Sequence, residues 1–178
     1  MFRLKTQDPR EATGAVADTY ALFPPQIGVP GPLIMMSASP ELVGRQAEFF
    51  KYFRAHPRLS FKLQALLRYL MAAEAGYGFC VGFNGNMLKM TGLSDVDLEA
   101  VQDDPSLAPL AENEKALLSF VVKALRQPDQ VSDDQVRALR DLGWADPDIF
   151  DAMWIGANML GMARLFNALA RPQANPSC

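Results

Sequence analysis

The stretch from Ser60 to Gly76, SFKLQALLRYLMAAEAG, constrains the fold more than any other part of this chain. Leu63, Leu66, Leu67, Leu70 and Met71 cover much of the circumference of a helix, and a helix that is apolar nearly all round has to be enclosed by other elements. Ser60 is a side-chain acceptor for its first turn. The helix ends near Gly76. The sequence Glu74–Met87, EAGYGFCVGFNGNM, then passes through a break marked by Gly76 and Gly78 and becomes helical again over 79–90, with Gly92 as its C-terminal cap.

What encloses that helix is itself helical. No segment alternates with period two between hairpin turns, so no sheet is expected. A first helix is predicted over 11–23, with Val16, Tyr20 and Phe23 on one face, stopped by Pro24-Pro25. Residues 26–36, with Gly28, Pro30, Gly31 and Pro32, read as an irregular connector ending in a short turn. Ser39-Pro40 opens a helix that carries Leu42, Val43, Phe49, Phe50 and Phe53 and ends before Pro57. Ser94 with Asp97, and Ser132 with Gln135, have the spacing of capping boxes. A helix over 112–126 carries Glu112 and Glu114 at its start and Lys123 and Arg126 at its end, the order a helix dipole favours. The last helix starts at Asp146-Pro147 and puts Phe150, Trp154, Ala157, Gly161, Leu165 and Ala168 on one face. The expectation is a single all-α domain over 1–178, built from about eight helices.

Charge and cysteine content narrow the function classes. A net charge of −3 argues against a surface built for nucleic acid. No apolar run reaches bilayer length, and the N-terminal MFRLKTQDPREATG has no signal-peptide core, so the expectation is a cytoplasmic protein with no membrane partner. Two cysteines, Cys80 and the terminal Cys178, make no disulfide framework. With His56 the only histidine, a multi-histidine metal site is excluded, and no cofactor motif is present. His56 precedes Pro57 at a helix end, where it reads as a capping or solvent-facing residue. Arg45, Lys51, Arg54, Arg58, Lys62 and Arg68 form a basic segment against an acidic one over 95–114; they read either as two solvated faces or as an anion site or self-docking patches. The apolar surplus, rich in methionine, points to a homo-oligomer.

Chemistry concentrates at the glycine break. The thiolate is the reactive form of cysteine, and a helix N-terminus favours it, so Cys80 just after Gly78 reads as a reactive thiol. The alternative is that Cys80, beside Phe79, Val81 and Phe83, packs as a small apolar residue. Glu74, Tyr77 and Asn84 are the neighbouring groups able to contact a small-molecule ligand. Asn158 and Asn167, in an apolar helix, read as amides that fix helix packing or line a pocket.

This layout resembles the active-site region of the AhpD-like proteins, alkylhydroperoxidase D and carboxymuconolactone decarboxylase. In that family an apolar helix leads to Gly-Cys-x-x-Cys, followed four residues later by histidine. Gly76 matches the glycine and Cys80 the second cysteine. Tyr77 stands at the first cysteine, Asn84 at the histidine, and Ala65 at the glutamate twelve residues ahead of the motif. The lead-in HPRLS, the upstream IGVPGPLIMMSASPEL and the closing LFNAL are also similar, so the resemblance spans roughly 11–171. It implies an AhpD-like helical bundle, assembled into oligomers through its core helices. It also implies peroxide chemistry with two thiols and a glutamate–histidine proton relay, of which this chain keeps Cys80. Tyr77 cannot resolve a sulfenic acid and Asn84 is no base near neutral pH; Cys178 resolves it only if the tail folds back. Three functions stay open: a thiol oxidoreductase in which Cys80 acts alone or with an external thiol, a decarboxylase-type small-molecule enzyme around Glu74, Tyr77, Cys80 and Asn84, and a non-catalytic oligomeric binding protein.

Overall fold

The computed structural model describes residues 2–171, which form nine α-helices: α1 (Gly14–Tyr20), α2 (Gly31–Met36), α3 (Pro40–Arg54), α4 (Phe61–Glu74), α5 (Gly78–Met90), α6 (Asp95–Asp103), α7 (Glu112–Arg126), α8 (Asp133–Asp141) and α9 (Asp146–Leu169). Short 3₁₀ turns at Pro105–Leu107 and Pro128–Gln130 flank α7. Among the described residues there is no strand, only an isolated bridge between Phe2 and Ala170. No described helix is long and apolar enough to cross a membrane. The all-α expectation holds. The connector differs from its expected form: Pro30 caps a short helix, α2, which accepts Pro32 because a proline in the first turn gives up no intrahelical hydrogen bond. Ser39 sits at the N-cap of α3 but its side chain makes no capping bond there.

The chain divides into two compact units, residues 2–55 with 164–171, and residues 56–163. The first has a small core in which Val16, Tyr20, Leu33 and Val43 are buried against Phe23, Ile34, Met36 and Phe50. Its N-terminal strand-like segment is held by Tyr20 Oη donating to the Gln7 carbonyl and by Phe2 set edge-on to Phe166.

The second unit is built around α4. Leu63, Ala65, Leu66, Leu67, Leu70, Met71 and Ala72 are all buried, as the all-round apolar pattern requires. Ser60 Oγ accepts from Leu63 N and starts the helix. Both expected capping boxes form, at Ser94–Asp97 and Ser132–Gln135. Helices α4, α5 and α8 end in the same way: the residue after the terminating glycine is apolar, buried, and donates its amide back to the carbonyl five residues earlier. These residues are Tyr77, Leu93 and Trp144. A hydrophobic residue at that position anchors the reversal to the core.

His56 faces inward and binds backbone amides, closer to the capping than to the solvent-facing alternative. Its side chain is buried, with Nδ1 accepting from the amides of Arg58 and Leu59 and Nε2 lying 3.3 Å from an Asp151 carboxylate oxygen. Arg58 bonds Asp148 at 2.8 Å and lies over the Trp144 ring. This polar cluster fastens the turn ahead of α4 to the start of α9. Asn158 and Asn167 are exposed, so neither is the buried packing amide expected from the sequence. The apolar face of α9 is also outward: Phe150, Trp154, Ala157, Gly161, Leu165 and Ala168 all keep exposed surface.

Candidate functional site

The turn between α4 and α5 positions the site. Gly76 takes φ of +62°, the left-handed region that L side chains rarely adopt. Its amide donates to the Ala73 carbonyl, and the Tyr77 amide donates to the Ala72 carbonyl at 2.8 Å. Tyr77 is thereby driven inward and becomes the N-cap residue of α5. No atom crowds a Cβ built on Gly76, so the glycine is required by its backbone conformation alone. Gly76→Ala is expected to cost about 1–2 kcal/mol for holding an alanine in that region, read as a fall in thermal midpoint. An unchanged midpoint would show that the turn relaxes.

Cys80 is the third residue of α5, among the first amides that have no intrahelical acceptor. The motif region is nonetheless closed. Cys80 is 6% exposed, Tyr77 2% and Asn84 2%. Asn84, one turn after Cys80, donates from Nδ2 to the Cys80 carbonyl at 2.9 Å. Its Oδ1 accepts from Arg68 Nε at 3.0 Å. The Tyr77 hydroxyl and the Arg68 charge both act on the Cys80 sulfur. Arg68 on α4 and Tyr77, Cys80 and Asn84 on α5 therefore make one polar group buried between two helices.

Opposing effects act on the thiol. Burial disfavours the thiolate; the Tyr77 hydrogen bond and the Arg68 charge favour it. Burial wins, and the Cys80 thiol is pushed up to about 11. Burial also raises the Tyr77 phenol, with the neighbouring Cys80 adding to it. The Arg68 guanidinium is drawn down to about 10 by desolvation, offset by the Cys80 thiolate. The resting thiol is thus held neutral beside the Arg68 guanidinium.

Of the four residues singled out in the sequence, three meet. Glu74 does not join them: it is exposed at the end of α4 and pairs with Arg126 of α7 at 2.7 Å. Sequence reasoning grouped Arg68 with the basic segment and did not place it beside Asn84. The signal was present: Arg68 is the lone charge between Lys62 and Glu74 in an otherwise buried helix. Cys178 lies outside the described residues. Among the described residues no three His, Cys, Asp or Glu side chains are grouped so as to hold a metal ion.

No protein-family model and no curated protein sequence matches this chain. Solved structures do. One, described as an alkylhydroperoxidase AhpD core, an uncharacterized peroxidase-related protein from Ralstonia eutropha JMP134, matches with a TM-score of 0.75 and 19% identity over 97% of this chain and 93% of that one. Another, an uncharacterized peroxidase-related protein from Silicibacter sp. TM1040, matches with a TM-score of 0.78 and 17% identity over 97% of this chain and 91% of that one. At such identities the likeness is one of architecture: the chain has the AhpD-like fold.

Proposed function

We propose that this protein is a one-cysteine thiol oxidoreductase of the alkylhydroperoxidase type, with Cys80 as the reacting group. The observation that supports it is the pair of positive or donating groups, Arg68 and the Tyr77 hydroxyl, gathered on a single thiol in the first turn of α5. The thiol first loses its proton to solvent. The thiolate attacks the distal oxygen of a hydroperoxide, the O–O bond breaks, and the departing alkoxide takes a proton to leave as alcohol. Arg68 faces the negative charge carried through this step. Cys80 is left as a sulfenic acid. An external thiol then displaces water to give a mixed disulfide, and a second external thiol releases Cys80 as the free thiol. This needs no second cysteine and no histidine base. A free catalytic thiol suits a reducing compartment, the cytoplasm.

The test is hydroperoxide consumption with dithiothreitol as reductant, together with trapping of the sulfenic acid by dimedone. Activity that climbs between about pH 9 and pH 11, where the thiol ionises, and vanishes in Cys80→Ser is the expected result. Equal turnover by Cys80→Ser sinks the proposal. So does a Cys80 that gives no sulfenic acid across that range. The burial of Cys80 would then favour the second reading, a non-catalytic oligomeric binding protein on this fold.

Either reading includes self-association. The face of α9 that carries Phe150 and Trp154, with Ala157 and Gly161 between larger residues, gives a partner helix apolar surface and room for close approach. The exposed Met90 extends apolar surface on α5. Trp154→Asp is expected to convert an oligomer to monomer in light scattering after gel filtration. A wild-type chain that is already monomeric at micromolar concentration refutes this.

A further inference from the structure

We propose that Arg68, held by Asn84, is a recognition site for a small oxyanion, a carboxylate or phosphate group carried by the molecule that enters beside Cys80. The inference rests on the functional reading above for what happens at the sulfur, but not for the binding itself. Its basis is an imbalance of charge. A guanidinium has five N–H donors and is almost never removed from water without a carboxylate or phosphate to match it. Here Nε–H is used on the neutral Oδ1 of Asn84. Among the described residues the other group that acts on the charge is Cys80, which is neutral in its resting form. No carboxylate of the described residues acts on it; Glu74, the nearest in sequence, is paired with Arg126.

The orientation is fixed as well. Asn84 is bonded at both ends of its carboxamide, to Arg68 on one side and to the Cys80 carbonyl on the other. This sets the guanidinium plane relative to α5 and leaves the two terminal nitrogens as the edge able to grip an oxyanion through two parallel bonds. As a residue Arg68 keeps some solvent exposure, whereas Tyr77, Cys80 and Asn84 are buried. Desolvation lowers its affinity for its own proton, and a bound anion would restore it. Asn84, expected from the sequence to contact substrate, then acts by positioning Arg68.

The experiment titrates wild-type protein with sodium benzoate, with inorganic phosphate and with benzamide, a neutral analogue of benzoate, following heat release and the thermal midpoint. Saturable binding of benzoate or phosphate, absent for benzamide, is expected; whichever anion binds identifies the source of the charge. Arg68→Gln should weaken binding by about tenfold or more, the loss of a charge-assisted pair, and Arg68→Lys by less. Failure of both anions to bind, or benzamide binding as well as benzoate, overturns the proposal without any variant having to fold. Undiminished binding in a folded Arg68→Gln also overturns it. Anion binding without hydroperoxide turnover would refute only the thiol chemistry; turnover without anion binding would refute only this site.

Discussion

Gly156→Val is expected to lower the thermal midpoint by roughly 6–12 °C, corresponding to about 3 kcal/mol in a chain of this size. Gly156 lies where α9 meets α4 and α7. A Cβ there would stand 2.5 Å from Leu125 Cδ1, 3.3 Å from Met71 Cγ and 3.3 Å from Val121 Cγ1. Three side chains from two helices close on one point, and Met71 and Val121 are fully buried. The Leu125 methyl is a side-chain end and can turn away from a single Cβ. Gly156→Ala therefore tests the close approach more gently, since a helix gains about 1 kcal/mol when alanine replaces glycine. The two together separate crowding from propensity. A valine variant as stable as wild type would mean that α9 does not approach α4 and α7 as closely as described.

Much of this was legible in the chain. Helix α4 was readable because its apolar residues repeat on every face, and only a fully enclosed helix satisfies such a pattern. The capping boxes of α6 and α8 were readable because two side-chain bonds at fixed spacing leave a local signature that needs no tertiary information. What escaped depended on partners distant in sequence. His56 read as a helix-end residue because nothing near it announces Asp148 and Asp151, some ninety residues on. The face of α9 through Phe150 and Trp154 showed the right period, but periodicity cannot say whether an apolar stripe meets the core or a partner. The three glycines at helix ends were read as stops; that the next residue is thrust into the core follows from the reversal geometry. At the site, Cys80 and Asn84 were found by alignment of motif positions. Arg68 was not, because no motif position points to a charge two turns back on the preceding helix. It is brought to Cys80 by the antiparallel return of α5 along α4.

Native Cys80 is expected to react with iodoacetamide about a hundredfold more slowly at pH 7.5 than the same cysteine in urea-unfolded chain, with a rate that rises up to about pH 11. Alkylation requires thiolate, and a shift from the ordinary 9.0 to about 11 removes two powers of ten of it at any pH below both values. Restricted access to a side chain that is 6% exposed can only add to that factor. The same shift carries a consequence for stability. The folded protein holds the Cys80 proton more tightly than the unfolded chain, so this contribution is complete below about pH 9 and is lost as the pH rises through about 11. Tyr77, also raised by burial, acts in the same direction. Stability should therefore fall on the alkaline side, and Cys80→Ala, which has no proton to lose, should fall less steeply across that window. Arg68→Gln sharpens the test, because without the guanidinium the thiolate loses its cationic neighbour and native alkylation should slow further. If native Cys80 instead reacts at neutral pH as quickly as the unfolded thiol, then burial does not outweigh Arg68 and Tyr77, and Cys80 is poised as a thiolate rather than held as a thiol.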